Sequence, residues 1–283
     1  MVSTIGILGG GTMGSGIAQI AALSGFNVLL YDISADALQK AMEKIKDDLD
    51  RGVEKGRLTQ QQADTALNNI HVHSTLNPLH RSDFIIEAAV EDLAIKREMF
   101  KRLDEVLPAQ SILATNTSSL SITSIGATTR RAGSVVGMHF FNPPSIMKLV
   151  EVVRGKQTSD ETVNATCELA AKLGKVPVVC KDTPGFIVNR VARPFYGEAL
   201  RLLGEGVASV EEIDRIVRLS GGFKMGPFEL MDLIGIDVNF AVTKSVYEQY
   251  FHEPRFRPHP IQRQMVEAGT LGRKTKRGFY SYE

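Results

Sequence analysis

Short apolar runs rich in Val, Ile and Leu alternate with longer segments of helical periodicity from residue 4 to about residue 181. This alternation is typical of a mainly parallel sheet with helices on both faces. The strand candidates are Thr4–Leu8, Asn27–Tyr31, Asp83–Glu87, Ile112–Thr115, Ser134–Met138, Lys148–Val153 and Val176–Cys180. The pattern predicts an α/β fold with a Rossmann-like, doubly wound sheet.

One stretch interrupts this alternation. From Ser34 to about Asn69 there is no strand signal, and apolar residues such as Leu38, Ile45 and Leu49 recur at helical spacing. We expect a helical-hairpin insertion there, made of a long helix and a second helix that turns back.

The pattern changes again after Asp182–Phe186. Amphipathic helices with capping sequences such as Ser209–Glu212 replace the strands, and a Gly-, Lys- and aromatic-rich tail follows at Gly272–Tyr282. We expect a Rossmann domain over residues 1–185, an all-α domain over residues 186–283, and an ordered, non-helical tail.

Composition narrows the possible partners. The 283 residues carry 33 Lys+Arg and 32 Asp+Glu, so a net charge of +1 gives no field to gather nucleic acid or an anionic membrane. No apolar run reaches about 18 residues, and the chain starts at once with a strand, so we expect no leader and a cytoplasmic location. Cys167 and Cys180 should be reduced thiols, and His71 and His73 lack further ligands for a metal.

The first strand is followed by Gly9–Gly14, GGGTMG, and then by a helical run. A GxGxxG turn between strand and helix is the dinucleotide fingerprint. Gly9 permits the tight turn, Gly11 lets the backbone approach the pyrophosphate, and Gly14 lets helix and strand pack closely. Amides at the helix start, with the helix dipole, favour the pyrophosphate charge.

An acidic residue, Asp32, closes the second strand candidate.

 Asp32 lies 18 residues after Gly14, where a carboxylate accepts hydrogen bonds from the adenosine ribose hydroxyls. The same charge would repel a 2′-phosphate by up to about 4 kcal/mol at 4 Å and an effective dielectric of 20. No Arg or Lys follows at Ile33 or Ser34 to compensate. The sequence therefore predicts NAD rather than NADP.

A histidine and a glutamate occupy unusual positions in two neighbouring strands. His139 stands at the carboxyl end of one strand candidate, the edge at which open α/β sheets bind ligands, and Glu151 interrupts the apolar run of the next. A histidine among apolar residues is often a core group, but a buried carboxylate needs a partner. A hairpin through the intervening prolines would pair the two, and a carboxylate-held histidine suits general-base catalysis.

Two polar segments point to the same edge of the sheet, Asn116–Ser119 and Asp182–Arg190. In the first of them, Ser118 or Ser119 has an alternative interpretation as the N-cap of the following helix. Capping does not exclude a contact with a ligand.

Eight segments, in order over nearly the whole chain, resemble those of the L-3-hydroxyacyl-CoA dehydrogenase family, of the 3-hydroxybutyryl-CoA dehydrogenase type. They are GGGTMGSGIA, EAAVED, NTSSLSIT, GMHFFNPP, KLVEVV, KDTPGFIVNR, MGPFELMDLIG and GRKTKRGFY. The resemblance implies NAD-dependent oxidation of (S)-3-hydroxyacyl-CoA, such as 3-hydroxybutyryl-CoA, and the reverse reduction, in fatty-acid and butanoate metabolism. It also implies a homodimer whose helical domain serves substrate binding and dimerisation.

The resemblance assigns roles to residues. His139 and Glu151 are the implied catalytic pair, Ser118 and Asn189 hold the reacting part of the substrate, and Asn142 orients substrate and nicotinamide. The implied NAD contacts come from Gly9, Gly11, Thr12, Met13, Gly14, Asp32, Glu91, Lys96, Ser118, Asn142 and Lys274. The chain departs from the common family pattern at Pro144-Ser145 and at Lys276, which puts the turn after His139 and the presentation of Lys274 in question.

Two basic residues of the insertion, Arg51 and Lys55, are spaced to share one helix face. The plain interpretation is two solvated charges. The resemblance implies that a basic residue at Lys55 meets the CoA nucleotide, and two local charges would suit its phosphates.

Two alternative functions remain at this point. A related 3-hydroxy-acid dehydrogenase that acts without CoA would not need Arg51 and Lys55. A non-catalytic NAD-binding protein would not need His139 and Glu151. Both are less favoured because the chain has all four residues.

Overall fold

The computed structural model of the chain describes residues 2–283. By the density of contacts it divides into two compact units, Met1–Thr183 and Pro184–Glu283.

Within the described residues, the first unit holds one eight-stranded sheet. Its strands are β1 (Thr4–Leu8), β2 (Asn27–Tyr31), β3 (Ile70–His73), β4 (Phe84–Glu87), β5 (Ile112–Thr115), β6 (Val135–Phe140), β7 (Leu149–Arg154) and β8 (Val176–Lys181). Their order is β3-β2-β1-β4-β5-β6-β7-β8, which begins with the Rossmann order. Neighbouring strands pair in parallel except β6 and β7, which are antiparallel. The predicted fold class is confirmed.

The sheet differs from the sequence prediction at its edge and at one boundary. The short strand β3 is absent from the seven strand candidates, and it pairs with β2 at the edge of the sheet. Strand β6 runs to Phe140 instead of ending at Met138. His139 therefore lies within the strand, and its pairing with Glu151 of β7 fixes the direction of its side chain.

Six helices accompany the sheet: α1 (Thr12–Leu23), α2 (Ala35–Glu54), α3 (Gln60–Asn68), α4 (Leu93–Val106), α5 (Ile122–Gly126) and α6 (Asp160–Lys172). Helices α2 and α3 are the predicted hairpin insertion. The Ser34 side chain accepts from the amide of Ala37 at the start of α2, and Thr59 and Gln62 form a capping box on α3. Such caps each contribute about 1 kcal/mol.

The strands are buried on both faces because their side chains alternate between two layers of helices. Ile5 and Ile7 of β1 belong to one core cluster together with Ile17 of α1. Gly6, between them, faces Ile85 of β4, whose Cδ1 would lie 2.4 Å from a Cβ placed on that glycine. Because both faces are buried, the sequences of the central strands are almost continuously apolar.

The second unit is helical: α7 (Val188–Gly204), α8 (Val210–Gly221), α9 (Pro227–Ile234), α10 (Ile236–Gln249) and α11 (Pro260–Glu267). The predicted capping box at Ser209 and Glu212 begins α8. The hydrophobic core of the second unit includes Leu200, Phe228 and Ile236. No helix within residues 2–283 combines the length and the apolar run that crossing a bilayer requires.

The C-terminal tail is ordered, and apart from a short 3-10 turn at Arg273–Thr275 it is not helical. The buried Asp232 carboxylate accepts hydrogen bonds from the amides of Phe279 and Tyr280 and from the Tyr282 hydroxyl. Burial and this bond raise the pKa of Tyr282 to about 12. The tail is thus attached to α9 by charge-assisted bonds.

Candidate active site

The glycine-rich turn joins β1 to α1, and two of its glycines are required by the fold itself. Gly9 has φ +104, and a Cβ there would lie 2.6 Å from the carbonyl oxygen of Ala88. A Cβ on Gly14 would lie 1.8 Å from the carbonyl oxygen of Gly9. Both positions exclude a side chain whether or not a ligand binds.

Gly11 is different, because no neighbouring protein atom would exclude a side chain at this position. It is the N-cap of α1 with φ −70 and ψ −173, an extended conformation open to any residue, and a Cβ there would have no heavy atom within 4 Å. No side chain caps the helix at this position, so its first amides point out of the turn. A pyrophosphate group fits this open space, and the helix start provides the donors and the dipole to bind it.

Asp32 is held at the end of β2 by the same turn. Its Oδ2 accepts from the amide of Gly10 at 2.7 Å and its Oδ1 from the amide of Ser34 at 2.9 Å. Each oxygen keeps a second lone pair for a ribose hydroxyl. The carboxylate lines a cleft of about 880 Å³ together with Gly11, Thr12, Ala89 and Ile95. The residues present therefore fit an adenosine diphosphate moiety.

His139 and Glu151 form a buried pair across the antiparallel strands β6 and β7, where they stand in direct register. The distance from His139 Nδ1 to Glu151 Oε2 is 2.8 Å, and the residues are 6% and 1% exposed. Since the carboxylate accepts a hydrogen bond from Nδ1–H, the neutral imidazole is held in the tautomer whose Nε2 carries the lone pair. The Phe141 ring packs against the imidazole, with centroids 4.6 Å apart. This arrangement presents a fixed base.

The turn between β6 and β7 is fastened on several sides. The Asn116 side-chain oxygen accepts from the amide of Phe140 at 2.8 Å, and the Lys175 ammonium donates to the carbonyls of Pro144 and Met147. Pro144 is buried, and a Cβ on Gly16 of α1 would lie 3.1 Å from its ring. Pro144, where the chain departs from the common family pattern, therefore lies in a well-packed turn. This turn packs the hairpin that carries His139 against α1, the helix that follows the glycine-rich turn.

Asn142 is exposed on this turn, and a cis peptide bond joins it to Pro143. Its predicted contact with substrate and nicotinamide stays a prediction.

Ser118 is positioned by Glu91. The Glu91 carboxylate accepts from the Ser118 amide at 2.8 Å, from its hydroxyl at 3.2 Å and from the Thr117 hydroxyl at 2.6 Å. The alternative N-cap role of Ser118 or Ser119 is wrong, because α5 begins at Ile122 and its cap is Ser121. Glu91 thus fixes the loop that carries Ser118, beyond the NAD contact implied by the family resemblance.

Lys96 lies deeper than a ligand contact would suggest. Its side chain is 1% exposed, and its ammonium is 2.6 Å from Glu87 Oε1 and 3.6 Å from Glu91 Oε2. Two carboxylates occupy it, and its contact with NAD remains a prediction.

Glu87 is the residue that sequence analysis missed. It is fully buried at the end of β4, and it accepts from Lys96, from the amide of Ala89 at 2.7 Å and from the Thr115 hydroxyl at 2.7 Å. Glu151 was found as a carboxylate within an apolar strand run, and applying the same argument to the carboxylate that ends the apolar run of β4 would have found Glu87.

The start of the second polar segment, Asp182, contacts the chain just beyond the first segment. Asp182 accepts from the Ser121 hydroxyl at 3.0 Å and from the amides of Ile122 and Thr123 at 3.1 and 2.8 Å. A carboxylate at the start of α5 complements the helix dipole. Asp182 therefore fixes the end of the loop that carries Ser118.

In the second unit, Asn189 lies on the first turn of α7 and is partly buried. Lys274 lies in the tail, with its ammonium 2.6 Å from the Asp237 carboxylate. Lys276 has φ +57, in the left-handed region that favours glycine, which explains the glycine expected at this position. The roles assigned to Asn189 and Lys274 stay predictions.

Arg51 and Lys55 lie at the carboxyl end of α2 and are both exposed. Arg51 Nη1 is 3.8 Å from Asp48 Oδ1, and Lys55 is the C-cap. Positive charge also stabilises a helix at this end, so the position alone agrees with a solvated pair and with a phosphate site.

The remaining candidate groups are poorly suited to chemistry. Within residues 2–283 no three His, Cys, Asp or Glu side chains gather as a metal site would require. Burial lowers the pKa of His73, with Arg81 adding to the effect. Burial also raises the pKa of Cys167, and together with Glu151 it raises that of Cys180 to about 12, so both thiols stay protonated and unreactive.

A dinucleotide cleft and a carboxylate-held base on one Rossmann sheet are characteristic of NAD-dependent dehydrogenases. Residues 4–183 match the 3-hydroxyacyl-CoA dehydrogenase NAD binding domain, and residues 185–282 match the C-terminal domain of the same enzymes. The chain belongs to the 3-hydroxyacyl-CoA dehydrogenase family, and its cofactor is NAD.

Individual relatives agree with this assignment. The chain is 50% identical to the 3-hydroxyadipyl-CoA dehydrogenase of Escherichia coli over 99% of its length, but it spans only 59% of that protein. It is 45% identical to a 3-hydroxybutyryl-CoA dehydrogenase of Clostridioides difficile, covering 98% of this chain and 99% of the relative. The crystal structure of (S)-3-hydroxybutyryl-CoA dehydrogenase from Ralstonia eutropha superposes with a TM-score of 0.96 at 45% identity, with both chains fully covered.

Proposed function

We propose that this protein oxidises (S)-3-hydroxyacyl-CoA to 3-ketoacyl-CoA with NAD and catalyses the reverse reduction. The observation that carries the proposal is the 2.8 Å contact between His139 Nδ1 and Glu151 Oε2 in a chain of this family. The named relatives act on a butyryl chain, which ends in a methyl group, or on an adipyl chain, which ends in a carboxylate. Both undergo the same reaction at C3, so the proposed reaction covers either chain, 3-hydroxybutyryl-CoA included.

The proton of the 3-hydroxyl group passes to His139 Nε2 as the C3–O bond becomes a carbonyl. NAD, when bound, accepts the hydride that leaves C3. Glu151 keeps Nδ1 protonated and stabilises the imidazolium that forms, so the base is oriented before the substrate arrives. In the reverse direction the imidazolium returns the proton to the carbonyl oxygen.

Three further residues would hold the reacting groups. Ser118, fixed by Glu91, donates to a substrate oxygen, and Asn189 binds the same part of the substrate. Asn142, exposed beyond the end of β6, orients substrate and nicotinamide. Arg51 and Lys55 bind the CoA phosphates.

The second unit would serve as a dimerisation surface. Among the described residues, five of its apolar side chains are 53–79% exposed: Val191, Val207, Ile216, Leu219 and Phe223. Removing such apolar surface from water contributes about 25 cal/mol per Å², and formation of a homodimer would bury it. Light scattering at micromolar concentration should give twice the mass of one chain, and a monomer would contradict the proposal.

The reaction is tested by following NADH absorbance with acetoacetyl-CoA. We expect NADH consumption with the CoA thioester and none with free acetoacetate. Turnover of the free acid instead would favour the CoA-independent dehydrogenase, and NADH binding without any turnover would favour a non-catalytic protein.

The CoA contact is tested by Lys55→Ala. A charge-assisted bond to phosphate contributes about 1.5–3 kcal/mol, so KM for acetoacetyl-CoA should rise by up to roughly 10- to 150-fold, less if solvent screens the bond. KM for NADH should stay near its normal value. An acetoacetyl thioester without the nucleotide is the control, because it does not reach Lys55. Equal losses with both thioesters would instead indicate a disturbed helix.

A further inference from the structure

Arg193 is a buried cation whose charge the protein does not neutralise. It lies on α7 and is 4% exposed. Among residues 2–283 no carboxylate lies within 4.0 Å of its guanidinium, whereas Lys96, the buried cation of α4, lies between two carboxylates. Its contacts are neutral oxygens: Nη1 donates to the Asn239 carbonyl at 2.8 Å and to the Thr243 hydroxyl at 2.9 Å.

Isolating a charge in this way is costly, since neutral dipoles replace only part of its hydration. Burial lowers the pKa of Arg193 to about 10, which still leaves it positive at neutral pH. The ring of Tyr196, 5.0 Å from the guanidinium carbon, adds a cation–π contact but no counter-charge. An anion is what this position lacks.

The guanidinium also has donor capacity to spare. Its Nε donates to the Asn189 carbonyl at 3.3 Å, but the acceptor available to Nη2 within residues 2–283 is the Asn189 side-chain oxygen at 3.5 Å, a long bond. Asn239 and Thr243, whose oxygens Nη1 contacts, are four residues apart and share one face of α10. An acceptor placed beside Nη2 would satisfy the donor that the protein leaves with a long bond.

Asn189 connects this cluster to the substrate. It lies one helical turn, about 6 Å, before Arg193 on α7, and it is the residue proposed to hold the reacting part of the substrate. A few carbon atoms beyond the reacting centre therefore suffice to reach the guanidinium.

We propose that Arg193 binds a carboxylate at the far end of the acyl chain, so that the preferred substrates are 3-hydroxyacyl-CoA thioesters of dicarboxylic acids. This inference rests on the proposed function. A terminal carboxylate supplies the missing charge and accepts from the spare donors, whereas a terminal methyl group leaves both unsatisfied. Specificity then arises mainly from discrimination against chains without the carboxylate.

The test compares two substrates of equal length, 3-hydroxyadipyl-CoA and 3-hydroxyhexanoyl-CoA, which differ in ending in a carboxylate or a methyl group. The wild-type protein should favour the first by roughly 10- to 150-fold in kcat/KM, the range for one charge-assisted hydrogen bond. Arg193→Met should abolish the preference through loss of activity on the adipyl substrate. Arg201→Gln is the matched control, because Arg201 lies on the same helix and already pairs with Glu198 at 2.9 Å. It should keep the preference.

The wild-type ratio needs no variant, so a misfolded mutant cannot obscure the result. Equal kcat/KM for the two thioesters would overturn the proposal. An equal loss of both activities in Arg193→Met would also overturn it, because the arginine would then act only by orienting Asn189. Turnover of 3-hydroxybutyryl-CoA, measured alongside, separates the two levels: if no thioester is oxidised, the proposed function itself fails.

Discussion

Lys96 and Arg193 are both buried cations, one in each unit, and they differ in what surrounds them. Lys96 lies between two carboxylates, with Glu87 Oε1 at 2.6 Å. Arg193 contacts only neutral oxygens and an aromatic ring. A charge whose partner is inside the protein is part of the architecture. For Arg193, the partner that we propose comes from outside the protein.

Gly14 and Gly11 differ in a similar way, in whether the protein itself fills the space where a side chain would lie. The backbone of Gly9 excludes a side chain at position 14, whereas nothing in the protein excludes one at position 11. The first glycine is explained by the fold, and the second is explained only by a ligand.

The largest effect expected from this contrast is on stability. Lys96→Met leaves Glu87 buried without its counter-ion, which costs about 3–5 kcal/mol, whereas Arg193→Met removes a charge that had none and should cost clearly less. Denaturant unfolding of both variants measures the difference. Adding Glu87→Gln to Lys96→Met should recover part of the loss. If the two single variants lost the same stability, the distinction between paired and unpaired cations would not hold.

The sequence could predict the groups whose role is local. The GxGxxG turn, the acid at Asp32 and the strand–helix alternation all follow from short-range patterns, and the structure confirms the fold that they predicted. Arg193 could not be found in this way. In an amphipathic helix an arginine is expected to be solvated, and only the packing of α7 against α10 buries it.

The glycine contrast predicts a smaller and more selective effect. Gly14→Ala should destabilise the protein by about 1–3 kcal/mol or more, because the backbone must move to admit the Cβ. Gly11→Ala should leave the melting temperature near that of wild type but raise KM for NADH at least about tenfold, since the new methyl group displaces the pyrophosphate. Thermal unfolding and NADH kinetics together separate the two. A Gly11→Ala variant with normal KM would remove the ligand explanation.

A paired acid on the first unit gives the smallest effect, and one that depends on pH. Burial alone would raise the pKa of Asp104, but the Arg130 amide and the Arg131 and Arg130 side chains outweigh it and lower the pKa below 3.8. A lowered pKa contributes stability above the unfolded value, and that contribution is lost as the pH falls through the folded value. Asp104→Asn should therefore lose on the order of 1 kcal/mol at pH 7.

The difference in melting temperature between wild type and Asp104→Asn should narrow as the pH falls below about 4, where the unfolded carboxyl takes up its proton, and should be lost as the folded carboxyl takes up its own at lower pH. Melting curves between pH 7 and pH 3 check this. A difference that stayed constant or widened in acid would contradict the pairing.

The site shows where short-range patterns stop being informative. Ser118 and Ser119 carry cap-type side chains before a helix, yet the chain makes a further turn and Ser121 takes the cap. Which serine caps the helix depends on Glu91 and Asp182, which bind this loop from 27 and 61 residues away. Such distant partners cannot be read from local sequence.

The central claim is that His139 is the base and that Glu151 acts through it. The direct measurement is kcat and KM for acetoacetyl-CoA reduction by NADH in wild type, His139→Ala and Glu151→Gln, on proteins shown to be folded by circular dichroism. Both variants should lose about 10²- to 10⁴-fold in kcat with much smaller changes in KM, because proton transfer contributes to the transition state and not to CoA binding. Near-wild-type kcat in either folded variant would contradict the account.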